Sequence, residues 1–230
     1  MTLQTSTCMT CGINFTYEPV IFHGRQIFEP RYCDPCCEKA SQEDHENASR
    51  KRREASKTRW NLMIPPIYHD TDISRIPKEI TAVTEFWQYQ PKGIGIIGRS
   101  GKGKTRATIA LLHRMHEEKR NTYYITATDL ALNSANQFAD NPATKSIAQN
   151  ILQLCRSACV LLLDDLGKNR MTDRAESELY DLLEYRTSRR LPIIWTSNSD
   201  ARGLLAMFSA DRGDAIVRRL AEFSQIVKIA

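Results

Sequence analysis

Residues 98–105 read Gly-Arg-Ser-Gly-Lys-Gly-Lys-Thr, a spacing suited to holding a nucleoside triphosphate. Gly98, Gly101 and Gly103 let backbone amides approach and wrap phosphate oxygens, and a helix opening at about Lys104 adds the favourable field of its N-terminus. Lys104 brings a point charge to the β- and γ-phosphates, and the Thr105 hydroxyl is placed to ligate magnesium. The expected phosphate cradle is Gly98, Ser100, Gly101, Lys102, Gly103, Lys104, Thr105 and Arg106. A glycine-rich loop by itself is a common accident. Here an apolar run at 94–97 enters it as a strand, and Ile109, Leu112 and Met115 form one face of the helix that leaves it, which is the context the motif requires.

A second set of groups completes a hydrolytic site. Val160-Leu161-Leu162-Leu163-Asp164-Asp165 is a buried strand ending in two carboxylates. Asp164 is expected to orient a magnesium-bound water and Asp165 to polarise the attacking water, the roles of a Walker B motif. ATPases of this shape mostly carry Glu in the second place. Asp is one methylene shorter, so slow turnover is expected; the alternative is that Asp165 only caps the next loop. The strand at 193–197 ends in Asn198, whose amide can position the attacking water, the sensor 1 role, although Ser-Asn also suits a turn. The expected catalytic groups in this set are Lys104, Asp164, Asp165 and Asn198.

The cysteines carry different chemistry. Cys8-x-x-Cys11 and Cys33-x-x-Cys36 are two knuckles separated by 21 residues. Each pair offers two thiolates on a tight turn, and two turns complete a tetrahedral zinc site with no position open to substrate, hence a structural one. Gly12 can supply the left-handed backbone such a turn needs. Phe15, Tyr17, Phe22 and Phe28 are candidates to cover the metal. Cys37 is a spare that could replace Cys36, and His23 a further donor that a four-cysteine site does not need. A segment this short has no adequate core, so zinc would supply its stability; the alternative is a disordered tail with free thiols.

These groups need elements to hold them, and 230 residues suffice for one medium domain plus a small appendage. Residues 1–38 show no helical period and form the expected zinc-ribbon-like module. Residues 39–60, charged and without Gly or Pro, read as a solvated helical linker carrying Arg50-Lys51-Arg52-Arg53. From 61 to 230 short apolar runs alternate with amphipathic ones, the pattern of an α/β domain with a parallel sheet. Five strands are expected, at 94–97, 122–126, 159–164, 193–197 and 225–229. Helices are expected at 143–156, 172–190 and 214–222, with Asp129 capping another and Leu179, Leu182 and Leu183 facing inward. The formal charge of +5 permits nucleic-acid binding without demanding it. No run approaches the ~18–20 apolar residues of a membrane span, and the N-terminus lacks the regions of a secretory signal, so no membrane partner and a cytoplasmic location are expected.

At this point a resemblance becomes specific. Leu161-Leu162-Leu163-Asp164-Asp165-Leu166-Gly167, then Leu179-Tyr180 to Tyr185-Arg186, then Leu191-Pro192-Ile193-Ile194-Trp195-Thr196-Ser197-Asn198 resembles the DnaC/IstB branch of AAA+ ATPases. Residues 123–130 and 215–220 look like the same family, and the resemblance covers roughly 61–230. It implies a P-loop AAA+ domain that binds and hydrolyses ATP with Mg2+ at a subunit interface. Arg219 then looks like the arginine finger that completes a neighbour's site, with Arg218 as the nearby alternative, and self-association follows. The branch contacts single-stranded DNA through the helical segment here at about 129–156, including Lys145 and Ser146. The chain stops after its last strand, so no C-terminal helical lid is expected, as in the loader branch. Residues 64–68 would border the adenine. The cysteine-rich module is similar to that of DnaI-type loaders and implies a replicative DNA helicase as partner. The alternatives are an IstB-like transposition helper acting on DNA, or a nucleotide-gated adaptor with little turnover.

Overall fold

The computed structural model describes residues 3–23 and 25–229. It divides into two compact units after Leu62, and different physics holds each.

In the first unit, β1 (Gln4–Thr7) pairs antiparallel with β2 (Asn14–Tyr17), and β3 (Val20–Phe22) with β4 (Arg25–Phe28). Neither hairpin has a core: among the described residues up to 38, only Cys8 and Cys33 are buried. Apolar burial therefore contributes little to this fold. A 30-residue helix follows, α1 (Asp34–Met63), about 45 Å long and exposed along most of its length. It opens with Asp34 and Pro35, both favoured in a first helical turn. The second cysteine knuckle is thus a helix start, not a free-standing turn.

The second unit runs α2 (Lys78–Phe86), β5 (Gly93–Gly98), α3 (Lys104–Glu117), β6 (Thr122–Thr126), α4 (Ala127–Asn136), α5 (Pro142–Ser157), β7 (Val160–Leu166), α6 (Asp173–Ser188), β8 (Ile193–Ser197), α7 (Ala201–Met207), α8 (Gly213–Glu222) and β9 (Ser224–Ile229). All five strands of its sheet are parallel, in the order β6-β7-β8-β5-β9. Parallel neighbours need long crossovers, and the helices that supply them cover the faces. That is why β7 is apolar through four successive positions: Leu161 and Leu163 join a core with Trp195, Leu130, Leu182 and Leu183, and Leu162 is just as buried. Truncating Leu162 to Ala would cost about 2–5 kcal/mol.

The helices start where side chains satisfy orphan amides. Thr126 caps α4 by accepting from the Asp129 amide, so Asp129 sits inside the first turn and is not the cap expected from the sequence. Asn141 caps α5 and Thr172 caps α6. The inward stripe of α6 continues from Leu179, Leu182 and Leu183 to Arg186, which is fully buried. Its guanidinium donates to the carbonyls of Cys155 (2.8 Å), Arg156 (3.2 Å), Ala158 (2.9 Å) and Pro192 (2.8 Å). One cation thereby closes the C-terminal end of α5 and the approach to β8. No described helix is long and apolar enough to cross a membrane.

Candidate active site and metal centre

Strand order decides which side chains meet. β8 lies between β5 and β7, so the tip carrying Asn198 falls between the glycine-rich loop and the paired carboxylates. Gly101 and Gly103 both have φ of +80°, a left-handed backbone that lets the loop turn back over the start of α3. Lys104, at that start, is buried and donates to Gly98 O (2.8 Å), Arg99 O (2.9 Å) and Asn198 Oδ1 (2.7 Å). Burial pulls its pKa down, and Asp165 and Asp164 oppose that shift.

Asp164 is buried and receives three hydroxyl donors: Thr105 Oγ1 at 3.0 Å, Thr196 Oγ1 at 2.5 Å and Tyr124 OH at 3.3 Å. Burial raises its pKa, against the hydrogen bonds from Thr196 and Thr105. The Tyr124 phenol is also pushed up, by burial first and the Asp164 charge second. Thr196 links the Asp164 carboxylate to the Asp165 backbone, because its Oγ1 also accepts from the Asp165 amide at 3.0 Å. Neither Tyr124 nor Thr196 was singled out from the sequence. A polar residue in an apolar parallel strand was the available signal, since such a group is buried only with a partner.

The β7–β8 register shifts between Leu163 and Leu166, and Asp165 has φ of +56°. Simple strand alternation would send Asp164 and Asp165 to opposite faces. The irregularity re-aims them: Asp164 faces Thr105, while Asp165 lines the cleft with its carboxylate 3.5 Å from Lys168 Nζ. A left-handed non-glycine residue costs on the order of 1–3 kcal/mol, and Asp is among the side chains that tolerate it best.

These groups surround a cleft of about 710 Å³. Ser100, Gly101, Lys102, Gly103, Lys104, Thr105, Arg106, Asp165 and Asn198 line it, while Gly98 contributes through its carbonyl to Lys104. The far wall is Tyr68, Asp70, Asp72, Arg75, Ile76 and Pro77. Of residues 64–68, expected to border the base, only Tyr68 reaches the cleft; Ile64 is buried and Ile67 points to solvent. Two short turns explain the shift. Pro66–Tyr68 folds as a 3-10 turn whose chain is held by His69 Nε2 on Ile64 O, and Asp72 caps a second turn that delivers Ile76 and Pro77 against Gly103. Arg106 lies 5.5 Å over the Tyr68 ring. The paired oxygens of Thr105 and Asp164 are hard donors of the kind Mg2+ takes alongside several waters.

Arg219 does not line this cleft. It packs on α6, ion-paired with Glu184 and 5.7 Å from the Tyr180 ring, while Arg218 is exposed.

In the first unit the Sγ atoms of Cys8, Cys11, Cys33 and Cys36 all lie within 4.8 Å of one another. Cys11 and Cys33 are 3.7 Å apart, close to the edge of about 3.8 Å expected for a tetrahedron with ~2.3 Å zinc–sulfur bonds. Gly12, φ +72°, makes the turn of the first knuckle. Amides of Cys11 and Cys33 pull the Cys8 thiol down to about 6, and the Cys33 and Cys11 thiols push Cys36 up to about 12. Four thiols this close resist shared deprotonation, which a divalent cation would relieve. Cys37 turns away, toward Tyr32 O at 3.9 Å, and His23 is outside the cluster. Phe15 and Tyr17 are half-buried, but Phe22 and Phe28 are about 60% exposed and do not cover the metal site as expected. A two-stranded ribbon of three and four residues leaves them no second layer to pack against.

A family model described as IstB-like ATP binding protein matches residues 71–230. No curated protein matches the chain in sequence. Among solved structures, DnaI is similar over 73% of this chain and 95% of its own, at 18% identity and a TM-score of 0.59. The DnaC helicase loader is similar over 75% and 99%, at 23% identity and 0.54. DnaA from Aquifex aeolicus is similar over 65% of this chain, which spans 44% of it, at 22% identity and 0.52. The chain belongs to the IstB-like ATP-binding family, and its sheet is that of the AAA+ P-loop fold.

Proposed function

We propose that this IstB-like ATPase loads a replicative DNA helicase. The observation that carries the reading is the joining, in one chain, of a four-thiolate module to a cleft where Lys104, Asn198, Asp164 and Asp165 converge. The extent of the likeness supports it, since the match spans 95% of the solved DnaI chain and 99% of the solved DnaC helicase loader chain.

The cleft works as follows. The loop amides and Lys104 hold the β- and γ-phosphates, and ATP draws Lys104 away from the carbonyls of Gly98 and Arg99. Thr105 and Asp164 hold magnesium, which neutralises phosphate charge when bound. Thr196 and Tyr124 fix the Asp164 carboxylate so that it does not reorganise during turnover. Asp165 polarises the attacking water while Asn198 orients it. The γ-phosphoryl group passes to that water and leaves ADP. Arg219 serves the site of a neighbouring copy once it leaves Glu184. Residues 1–38 form the zinc module that grips the helicase, 39–60 the charged helical linker and 61–230 the ATPase domain. Single-stranded DNA lies along 129–156, where Phe138 is 62% exposed beneath the Arg174 guanidinium at 4.5 Å, an aromatic face on which a base can stack.

The test is capture by the full chain of a purified hexameric replicative helicase, with ATP and without. The reading expects capture that Cys8→Ser with Cys33→Ser abolishes. Capture of a transposase and no helicase would sink it in favour of a transposition helper, the reading that the family match also admits.

A further inference from the structure

The long helix α1 is divided by charge. Residues 34–46 hold five acids and one lysine, whereas 50–59 hold six basic residues and one acid, a net +5 equal to the formal charge of the whole chain. Arg50, Lys51, Arg52, Arg53 and Lys57 are all exposed. Among the described residues none of these five makes an ion pair, and the one side-chain contact is Arg50 Nη2 to Asn47 Oδ1 at 3.0 Å.

Ordinary helix chemistry does not account for the cluster. The macrodipole favours cations only within the last turn, and 50–53 lie ten or more residues before Met63. A helix that needs only solubility intersperses both signs and gains from pairs at i,i+4. Of these five cations only Arg50 has acids at that spacing, Glu46 and Glu54, and it pairs with neither, while Arg53 and Lys57 are like charges there. At 100° per residue, Arg50, Arg53 and Lys57 share one stripe, while Lys51 and Arg52 fall on other sides. The cations therefore ring the helix. A folded acidic protein would meet one face of such a ring, whereas a flexible polyphosphate strand can follow it round.

We propose that residues 50–57 of α1 are a phosphate-backbone site for nucleic acid, taking single strands in preference to duplex, separate from the 129–156 segment. It rests on the reading above only in that the partner is DNA. Binding here needs neither ATP nor a particular base sequence, and it falls steeply with salt because each neutralised phosphate releases counterions.

The test is fluorescence anisotropy of the full chain with a labelled thirty-nucleotide poly-dT strand and a thirty-base-pair duplex, from 50 to 200 mM KCl without nucleotide. The variant replaces Arg50, Lys51, Arg52 and Arg53 by Gln, which keeps helix propensity. Its affinity for the strand should fall at least tenfold at 50 mM, and the slope of log K against log salt should flatten by about 3, at ~0.7 for each phosphate no longer neutralised. Zinc content, helical circular dichroism and ATP affinity should match the parent, which separates a lost site from a lost fold. An unchanged slope overturns the proposal, as does a parent that binds neither nucleic acid. Tighter binding of duplex overturns the strand preference. If Phe138→Ala abolishes the nucleotide-free binding while the four-Gln variant keeps it, the site is on 129–156 and not on α1. A parent that fails to bind ATP would instead sink the ATPase reading and leave this result standing.

Discussion

Replacing Arg186 by Met should destabilise the second unit by about 3–5 kcal/mol, although the residue touches no part of the cleft. Met has similar length and fills the space without a large cavity. What it removes is a fork of donors: the two N–H groups of Nη1 serve the carbonyls of Cys155, Arg156 and Ala158, and Nη2 serves that of Pro192. Hydrogen bonds to a charged donor contribute about 1.5–3 kcal/mol each, so the three N–H groups engaged give roughly 4.5–9 kcal/mol gross. Against that stands the cost of burying the cation, whose pKa falls from 12.5 to about 10 through desolvation. At ~1.4 kcal/mol per pKa unit that cost is roughly 3 kcal/mol. The difference is roughly 1.5–6 kcal/mol, and the buried carbonyls of Cys155, Ala158 and Pro192, left without this donor, put the loss in the upper part of that range. Arg186→Lys keeps the charge but not the fork, so it should lose about half as much. The assay is urea unfolding followed by tryptophan fluorescence. With m near ~2 kcal/mol/M, the Met variant's midpoint should drop by about 2 M and the Lys variant's by about 1 M. A Met variant within about 0.5 M of the parent would refute the reasoning, since the four bonds would then contribute nothing net.

Three further outcomes are expected. Lys104→Ala should lose ATP binding, measured by calorimetry, while Asp165→Asn should bind ATP near normally and lose at least tenfold in turnover; parental hydrolysis by Asp165→Asn would remove it from the chemistry. Thr196→Val removes a charge-assisted bond of about 1.5–3 kcal/mol to Asp164 and the acceptor of the Asp165 amide, so half-saturation for magnesium in the ATPase assay should rise at least tenfold while nucleotide binding without magnesium stays unchanged. Cys8→Ser with Cys33→Ser should release zinc, read by elemental analysis, and unfold residues 3–33 while ATP affinity holds; a variant that keeps one zinc per chain would contradict the ligand set.

Some of this was legible in the sequence and some was not. The five strands fall within two residues of where apolar runs place them, because a central parallel strand must be apolar on both faces and only short runs are. The glycine-rich loop was legible for a similar reason: its chemistry is local, eight consecutive residues between a strand and a helix. Non-local partners were harder. Asn198 was expected at a strand tip, but its contact with Lys104 spans 94 positions and depends on β8 lying between β5 and β7. The far wall of the cleft runs from Tyr68 to Pro77, beyond most of the 64–68 segment expected to border the adenine, since two 3-10 turns carry the chain there in a way that Pro65-Pro66 does not announce. Arg186 continues a stripe that begins at Leu179, and an arginine at an inward heptad place was a readable sign of buried carbonyls nearby.

Asp165 shows why the strand period fails where function lies. Val160 through Asp164 reads as one uninterrupted strand, and pairing continues to Leu166 only across a register shift with Asp165 left-handed. Fold stability alone favours a regular ladder there, with an apolar residue in place of Asp164 and no strained backbone. The chain keeps instead a buried carboxylate whose charge is disfavoured by burial, and surrounds it with three hydroxyls from β6, α3 and β8. Those donors come from three separate elements, so the carboxylate holds its aim only while the sheet and α3 are docked. The local irregularity is therefore sustained by global packing, and a core truncation outside the cleft lining, such as Leu162→Ala two residues before Asp164, should loosen the aim of Asp164 before it unfolds the sheet, read as weaker magnesium half-saturation in a variant that still unfolds cooperatively.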